Sequence, residues 1–94
     1  MLFSVYALDK PGAQEIRLRN RSDHLAYVAE TGCVKVAGPL LDDDGEQMIG
    51  SLLIIEADEI SAVERWLEND PYAKAGLFQS VSVRPWKWVI GAPQ

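Results

Sequence analysis

The chain has 94 residues, a formal net charge of −5 and an apolar share of 48%. A chain of that size can bury about two-thirds of its unfolded surface, so the reading is one domain over residues 1–94 with a modest core. One cysteine and one histidine exclude a disulfide framework and a multi-histidine metal site within one chain, and an acidic chain lacks the clustered cations that nucleic acid demands.

No apolar run approaches the roughly 18 residues of a membrane span. No basic stretch precedes the apolar start MLFSVYAL, so it does not read as a signal peptide. The expected setting is the cytoplasm, with no membrane or nucleic-acid partner.

Residues 2–8, LFSVYAL, read as a first strand, with Phe3, Val5 and Ala7 on one face and Leu2, Tyr6 and Leu8 on the other. Asp9 is expected to cap a helix begun by Pro11. That helix runs to about Glu30 and stops at Gly32, a residue suited to left-handed backbone. Cys33–Ala37 reads as a second strand closed by Gly38-Pro39, and the acidic loop Asp42–Glu46 follows. Met48–Glu56 is a third strand. Asp58 is expected to cap a second helix with Ile60, Val63 and Leu67 as its apolar stripe, ending at Asp70 before Pro71. A short turn, PYAKAG, leads to a last strand near Phe78–Val83, extended by Pro85-Trp86-Lys87-Trp88.

This β-α-β-β-α-β order predicts an α+β, ferredoxin-like fold, an antiparallel sheet with both helices on one face. The other sheet face should be polar. Instead strand three is apolar at both parities, with Leu53 and Ile55 opposite Leu52 and Ile54. A second copy packed sheet to sheet would cover that patch, which makes the chain a homodimer. The competing cover is the C-terminal tail with Trp86 and Trp88.

On a helical wheel, Leu18, Leu25 and Ala29 centre the apolar stripe of the first helix, and Arg17, Arg21, His24 and Val28 lie along one border. Ile16 does not fit the stripe. The only histidine thus sits beside two arginines at spacing i, i+4, i+7, where cations repel mildly unless an anion joins them. The charge distribution sharpens this: residues 41–70 hold ten of the fourteen acids, whereas residues 10–21 hold Lys10, Arg17, Arg19 and Arg21. A small anion would be drawn to that basic island, although a helix also carries charges simply because its outer face is wet.

Asp70 is a second oddity: a carboxylate at a helix C-terminus opposes the macrodipole unless a cation or donor compensates. His24 or Arg21 is the expected partner. Gly38 would let a ligand or another backbone approach closely, and Ser51 offers a hydroxyl.

Arg17-Leu18-Arg19-Asn20-Arg21-Ser22-Asp23-His24-Leu25, Ala37-Gly38-Pro39, Gly50-Ser51, Asp70-Pro71-Tyr72, Gly76 and Val83-Arg84-Pro85 follow one another in an order and spacing that resembles the YCII (YciI-like) family of small bacterial proteins. The resemblance covers nearly the whole chain. It implies membership of the dimeric α+β barrel superfamily and a pocket with a His–Asp pair, here His24 and Asp70. A family relative is a dehydrochlorinase of a chlorinated hydroxyhydroquinone, and muconolactone isomerases belong to a neighbouring superfamily. The Asp42–Glu46 loop departs from the family pattern.

A histidine held by a carboxylate can take a proton from a substrate through its other ring nitrogen. No activated nucleophile is evident. The expectation is a cofactor-free and metal-free lyase or isomerase acting on a small anionic or aromatic compound. His24 and Asp70 would transfer the proton, and Arg17, Arg21, Gly38, Pro39, Ser51 and Tyr72 would bind the substrate. The alternative is a non-catalytic ligand-binding or partner-binding module, since the fold itself decides nothing.

Overall fold

A computed structural model describes residues 1–93. Gln94, the last residue of the expected domain, lies outside the described residues. The elements are β1 (Leu2–Asp9), α1 (Gln14–Thr31), β2 (Val34–Leu41), β3 (Met48–Glu56), α2 (Ile60–Glu68), α3 (Pro71–Lys74) and β4 (Phe78–Trp86). The strands form one antiparallel sheet in the order β2-β3-β1-β4. This is the ferredoxin-like arrangement. No helix among the described residues is long and apolar enough to cross a membrane.

Strand alternation fixes which side of the sheet is dry. Phe3 and Val5 of β1 pack with Leu53 and Ile55 of β3, and Val63, Trp66 and Leu67 of α2 close the layer above them. The opposite parity shows what the alternation predicts for a face with no helices on it: Tyr6, Val36 and Leu52 are each more than two-fifths exposed. Ile54 of the same parity is buried, and at this end of the sheet Trp86, paired with Leu2, packs its ring 5.7 Å from that of the half-buried Trp88. β4 runs on to Trp86, and Val89 and Ile90 project into solvent beyond it.

The first helix departs furthest from expectation. It begins at Gln14, not Pro11, and Ala13 is the cap residue, without a side-chain bond. Asp9 is the last residue of β1 and serves another purpose. The helix stops as expected, at Gly32 with φ of 67°. Its fully buried residues are polar, Arg17 and His24, beside the half-buried Tyr27 and Val28 that pack on the core, whereas Leu18 and Leu25 are 56% and 48% exposed and Ala29 is exposed too. Ile16, which fits no apolar stripe, packs beside Ala13, Tyr72 and Leu77 in a second small core. The helix thus sits rotated from the wheel's most apolar orientation.

Three further boundaries differ. Strand β2 continues through Gly38-Pro39 to Leu41, because β2 is an edge strand and proline's missing N–H can face outward there. Glu59, not Asp58, is the α2 cap residue. Finally, α2 ends at Glu68 with Asn69 as its C-terminal cap, and PYAKAG is not a plain turn but contains α3. Asp70 therefore belongs to the start of α3, not to the end of α2. Its carboxylate accepts from the Tyr72 N–H, and Pro71 fills the first helical position. Asp70 still directly follows the α2 cap, its N–H donating to Leu67 O, and the Tyr72 N–H is one donor that compensates its carboxylate there.

Candidate active site

A cavity of about 150 Å³ lies between α1 and the β2–β3 half of the sheet. Arg17, Arg21, His24 and Leu25 line it from the helix, Ala37, Gly38 and Pro39 from β2, Met48, Ser51 and Leu53 from β3, and Tyr72 from α3. All of the expected site residues except Asp70 meet there. A dry cavity of about this volume holds one aromatic ring.

The helix rotation makes the site. His24 Nδ1 lies 2.8 Å from Asp70 Oδ1, with the two side chains 9% and 1% exposed. The same oxygen accepts from the Tyr72 N–H at 3.0 Å. A carboxylate can only accept, so Nδ1 carries a proton, and in the neutral imidazole the lone pair is then on Nε2. Nε2 has no protein partner among the described residues. The imidazole stacks on Tyr72, centroids 4.0 Å apart and planes 12° from parallel, which fixes the ring's plane as Asp70 fixes its tautomer.

Arg17 and Arg21 are not equivalent. Arg17 is buried and donates from Nε and Nη2 to the Asp9 carboxylate at 2.7 and 3.0 Å. Its Nη2 also donates to Ser51 Oγ at 2.8 Å, and its guanidinium stands 4.7 Å from the centre of the Tyr72 ring. Arg21 is exposed at the cavity and makes no ion pair among the described residues. One arginine is thus neutralised within the protein and the other is free. Asp9 is the residue that sequence reasoning missed: one turn before a helix it looks like a cap. The signal available was the buried Arg17 partner it needs, and that is invisible until α1 is rotated.

Gly38 lines the cavity, yet a Cβ there would meet nothing within 4 Å. No other backbone approaches Gly38, which leaves its side of the cavity open; the close backbone approach is at Gly50, beside Ser51. The Asp42–Glu46 loop is a turn, in which Asp42 Oδ1 accepts from the Glu46 and Gln47 backbone N–H groups. No group of three metal-ligating side chains occurs among the described residues.

Burial holds the Tyr72 phenol above the ordinary tyrosine range, although the Arg17 and Arg21 charges pull it down. The phenol therefore stays neutral in the cavity. A folded pKa above the unfolded value of about 10 favours the native state fully below that pH, and the contribution is lost as pH rises through the folded value. Melting temperature should fall on the alkaline side of about pH 10. Tyr72→Phe should reduce that fall without removing it, because burial also raises Tyr27. Identical alkaline limbs for both proteins would show that the phenol is solvated.

The family model of the YCII-related domain matches residues 1–87. The chain belongs to the YCII-related family. It is 36% identical to the Protein YciI of Escherichia coli O6:H1, with 96% of this chain and all of the relative covered. Among solved structures it resembles the 5-chloro-2-hydroxyhydroquinone dehydrochlorinase of Burkholderia phenoliruptrix AC1100, solved in complex with 2,5-dihydroxybenzoquinone. There the TM-score is 0.84, the identity 41%, and the coverage 93% of this chain and 94% of that one. An antibiotic biosynthesis monooxygenase shares the fold at a TM-score of 0.58 and 14% identity, over 95% of this chain and 99% of that one. This YCII-related chain thus shares the four-stranded, ferredoxin-like α+β architecture of these structures.

Proposed function

We propose that this protein is a cofactor-free lyase or isomerase that moves a proton on a single-ring, hydroxylated or anionic compound. The observation that carries the reading is the His24 imidazole, bonded through Nδ1 to Asp70 and left with an unpartnered Nε2 beside the cavity. Nε2 takes a proton from the substrate. The resulting imidazolium is met by the Asp70 carboxylate, which compensates the new charge in a place where water cannot. Charge that develops on a substrate oxygen faces Arg21. The 41% identical dehydrochlorinase eliminates chloride from a ring of the size this cavity accepts, and that supports elimination over the other proton transfers.

Chloride release from 5-chloro-2-hydroxyhydroquinone tests the reading. Turnover is expected in the native protein, with a loss of about 100-fold or more in His24→Ala. Saturable binding without chloride release would replace the enzyme by a ligand-binding module. The cytoplasmic setting belongs to the same reading.

The functional unit in this reading is a homodimer with the apolar sheet faces opposed. The single chain exposes 6116 Å², roughly 700 Å² more than its 10.4 kDa mass calls for. That excess approaches the roughly 800 Å² each partner contributes to a standard interface. Light scattering at micromolar concentration should give twice the chain mass. A stable mass equal to one chain would overturn the dimer.

A further inference from the structure

Asp9 lies outside the cavity lining, yet its carboxylate determines what the cavity presents. The Asp9 and Arg17 side chains are 5% and 3% exposed, so this ion pair is not a loose surface contact. Two donors of one guanidinium meet both oxygens of one carboxylate, the geometry that best fixes an arginine in plane. Nη2 then has a single direction left to share, and it is toward Ser51 Oγ. A hydroxyl has one proton and two lone pairs. Arg17 occupies a lone pair of Ser51, and among the described residues no protein group accepts the Ser51 proton. Ser51 itself is buried and lines the cavity. Its O–H therefore has only the cavity in which to find an acceptor, and the cation behind it strengthens it as a donor.

We infer that Asp9 is a positioning residue that turns Arg17 and Ser51 into a neutral hydrogen-bond donor and leaves Arg21 as the cavity's one uncompensated cation, so that the site selects a ring compound carrying a single negative charge and a second oxygen as acceptor. This rests on the cavity's being a small-molecule site, as in the proposed function, but not on catalysis. A ligand with two charges would leave one of them unmatched against a neutral dipole. A ligand with none would leave Arg21 unused.

The test is a charge cycle on the ligand-binding preference. Benzoate and benzamide have nearly the same shape and differ by one charge, and calorimetric titration gives the ratio of their dissociation constants. The native protein should prefer benzoate. Asp9→Asn uncovers the Arg17 charge and should raise that preference roughly tenfold. Arg17→Gln leaves the Asp9 carboxylate alone beside the cavity and should abolish it. The double variant Asp9→Asn/Arg17→Gln removes both charges and should return the preference to within about twofold of the native value. A merely structural ion pair would weaken both probes alike in every variant and leave the ratio unchanged, which overturns the inference. If Asp9→Asn does not fold, Arg17→Gln and the double variant decide the matter in the same way. Failure of both probes to bind the native protein overturns it as well. A charge cycle that behaves as expected in a protein that releases no chloride removes the enzyme reading and keeps this one.

Discussion

Gly50→Ala is expected to destabilise the protein by about 3 kcal/mol, a fall of roughly 12–24 °C in melting temperature for a domain of this size. A Cβ at position 50 would stand 2.3 Å from the Ala7 carbonyl oxygen and 3.0 Å from Leu40 Cδ1. Leu40 can turn aside, but the Ala7 carbonyl cannot. It belongs to β1, which is held by β3 on one side and β4 on the other. Relief would have to come from parting β1 and β3 where Leu8 faces Gly50. The next residue, Ser51, would move with the strand and take the Arg17 contact with it. Gly38→Ala is the matched control, because a Cβ there meets open space. It should change stability by less than about 0.5 kcal/mol. Thermal melts of the two variants side by side check this, and equal melting temperatures would show that the strands do not approach as described.

Asp70→Ala is expected to lose about 2–4 kcal/mol, while Asp70→Asn keeps most of the stability. One buried oxygen performs two tasks: it accepts the His24 ring N–H and caps α3 through the Tyr72 N–H. Alanine removes that acceptor and leaves both donors unsatisfied in a site that is 1% exposed. Asparagine retains a carbonyl oxygen in the same place. It cannot supply the negative charge that stabilises an imidazolium, so it should separate the two roles, with a near-native fold and a large loss of turnover. Denaturant melts and chloride release on the same samples check this. Equal stability of Asp70→Ala and the native protein would mean that the α3 cap is dispensable.

The sheet was legible in the sequence because its signal is local. Phe3, Val5 and Ala7 alternate with Leu2 and Tyr6, and the pleat translates that alternation directly into inner and outer faces. The site residues were legible as a set because Arg17, Arg21 and His24 recur at helical spacing whichever way the helix turns. The orientation of α1 was not legible. A wheel ranks faces by apolar content, and that ranking puts Leu18 and Leu25 inside. The structure buries Arg17 and His24 because Asp9, Ser51 and Asp70 supply partners from three other elements. Those partners are distant in sequence, and each has an ordinary local explanation: Asp9 as a cap, Asp70 before a proline, Ser51 as a solvent-facing hydroxyl. The α2 terminus that points to a partner for Asp70 lies one residue before it, and the α3 cap that shares the same oxygen is not visible in the sequence. The close approach at Gly50 was also out of reach, since it depends on how near two strands pass at a single register position.

The polar stretch of α1 beside the cavity has a thermodynamic consequence. Most helices are attached to a sheet by oil, which is indifferent to small displacements. This one is attached beside the cavity by directional bonds from Arg17 and His24, together with the stacking of His24 on Tyr72. A compound bound as proposed above would touch the same side chains and become a further fastener between helix and sheet. Occupancy and helix attachment are then one linked equilibrium, in which the free energy of binding is also resistance to local opening.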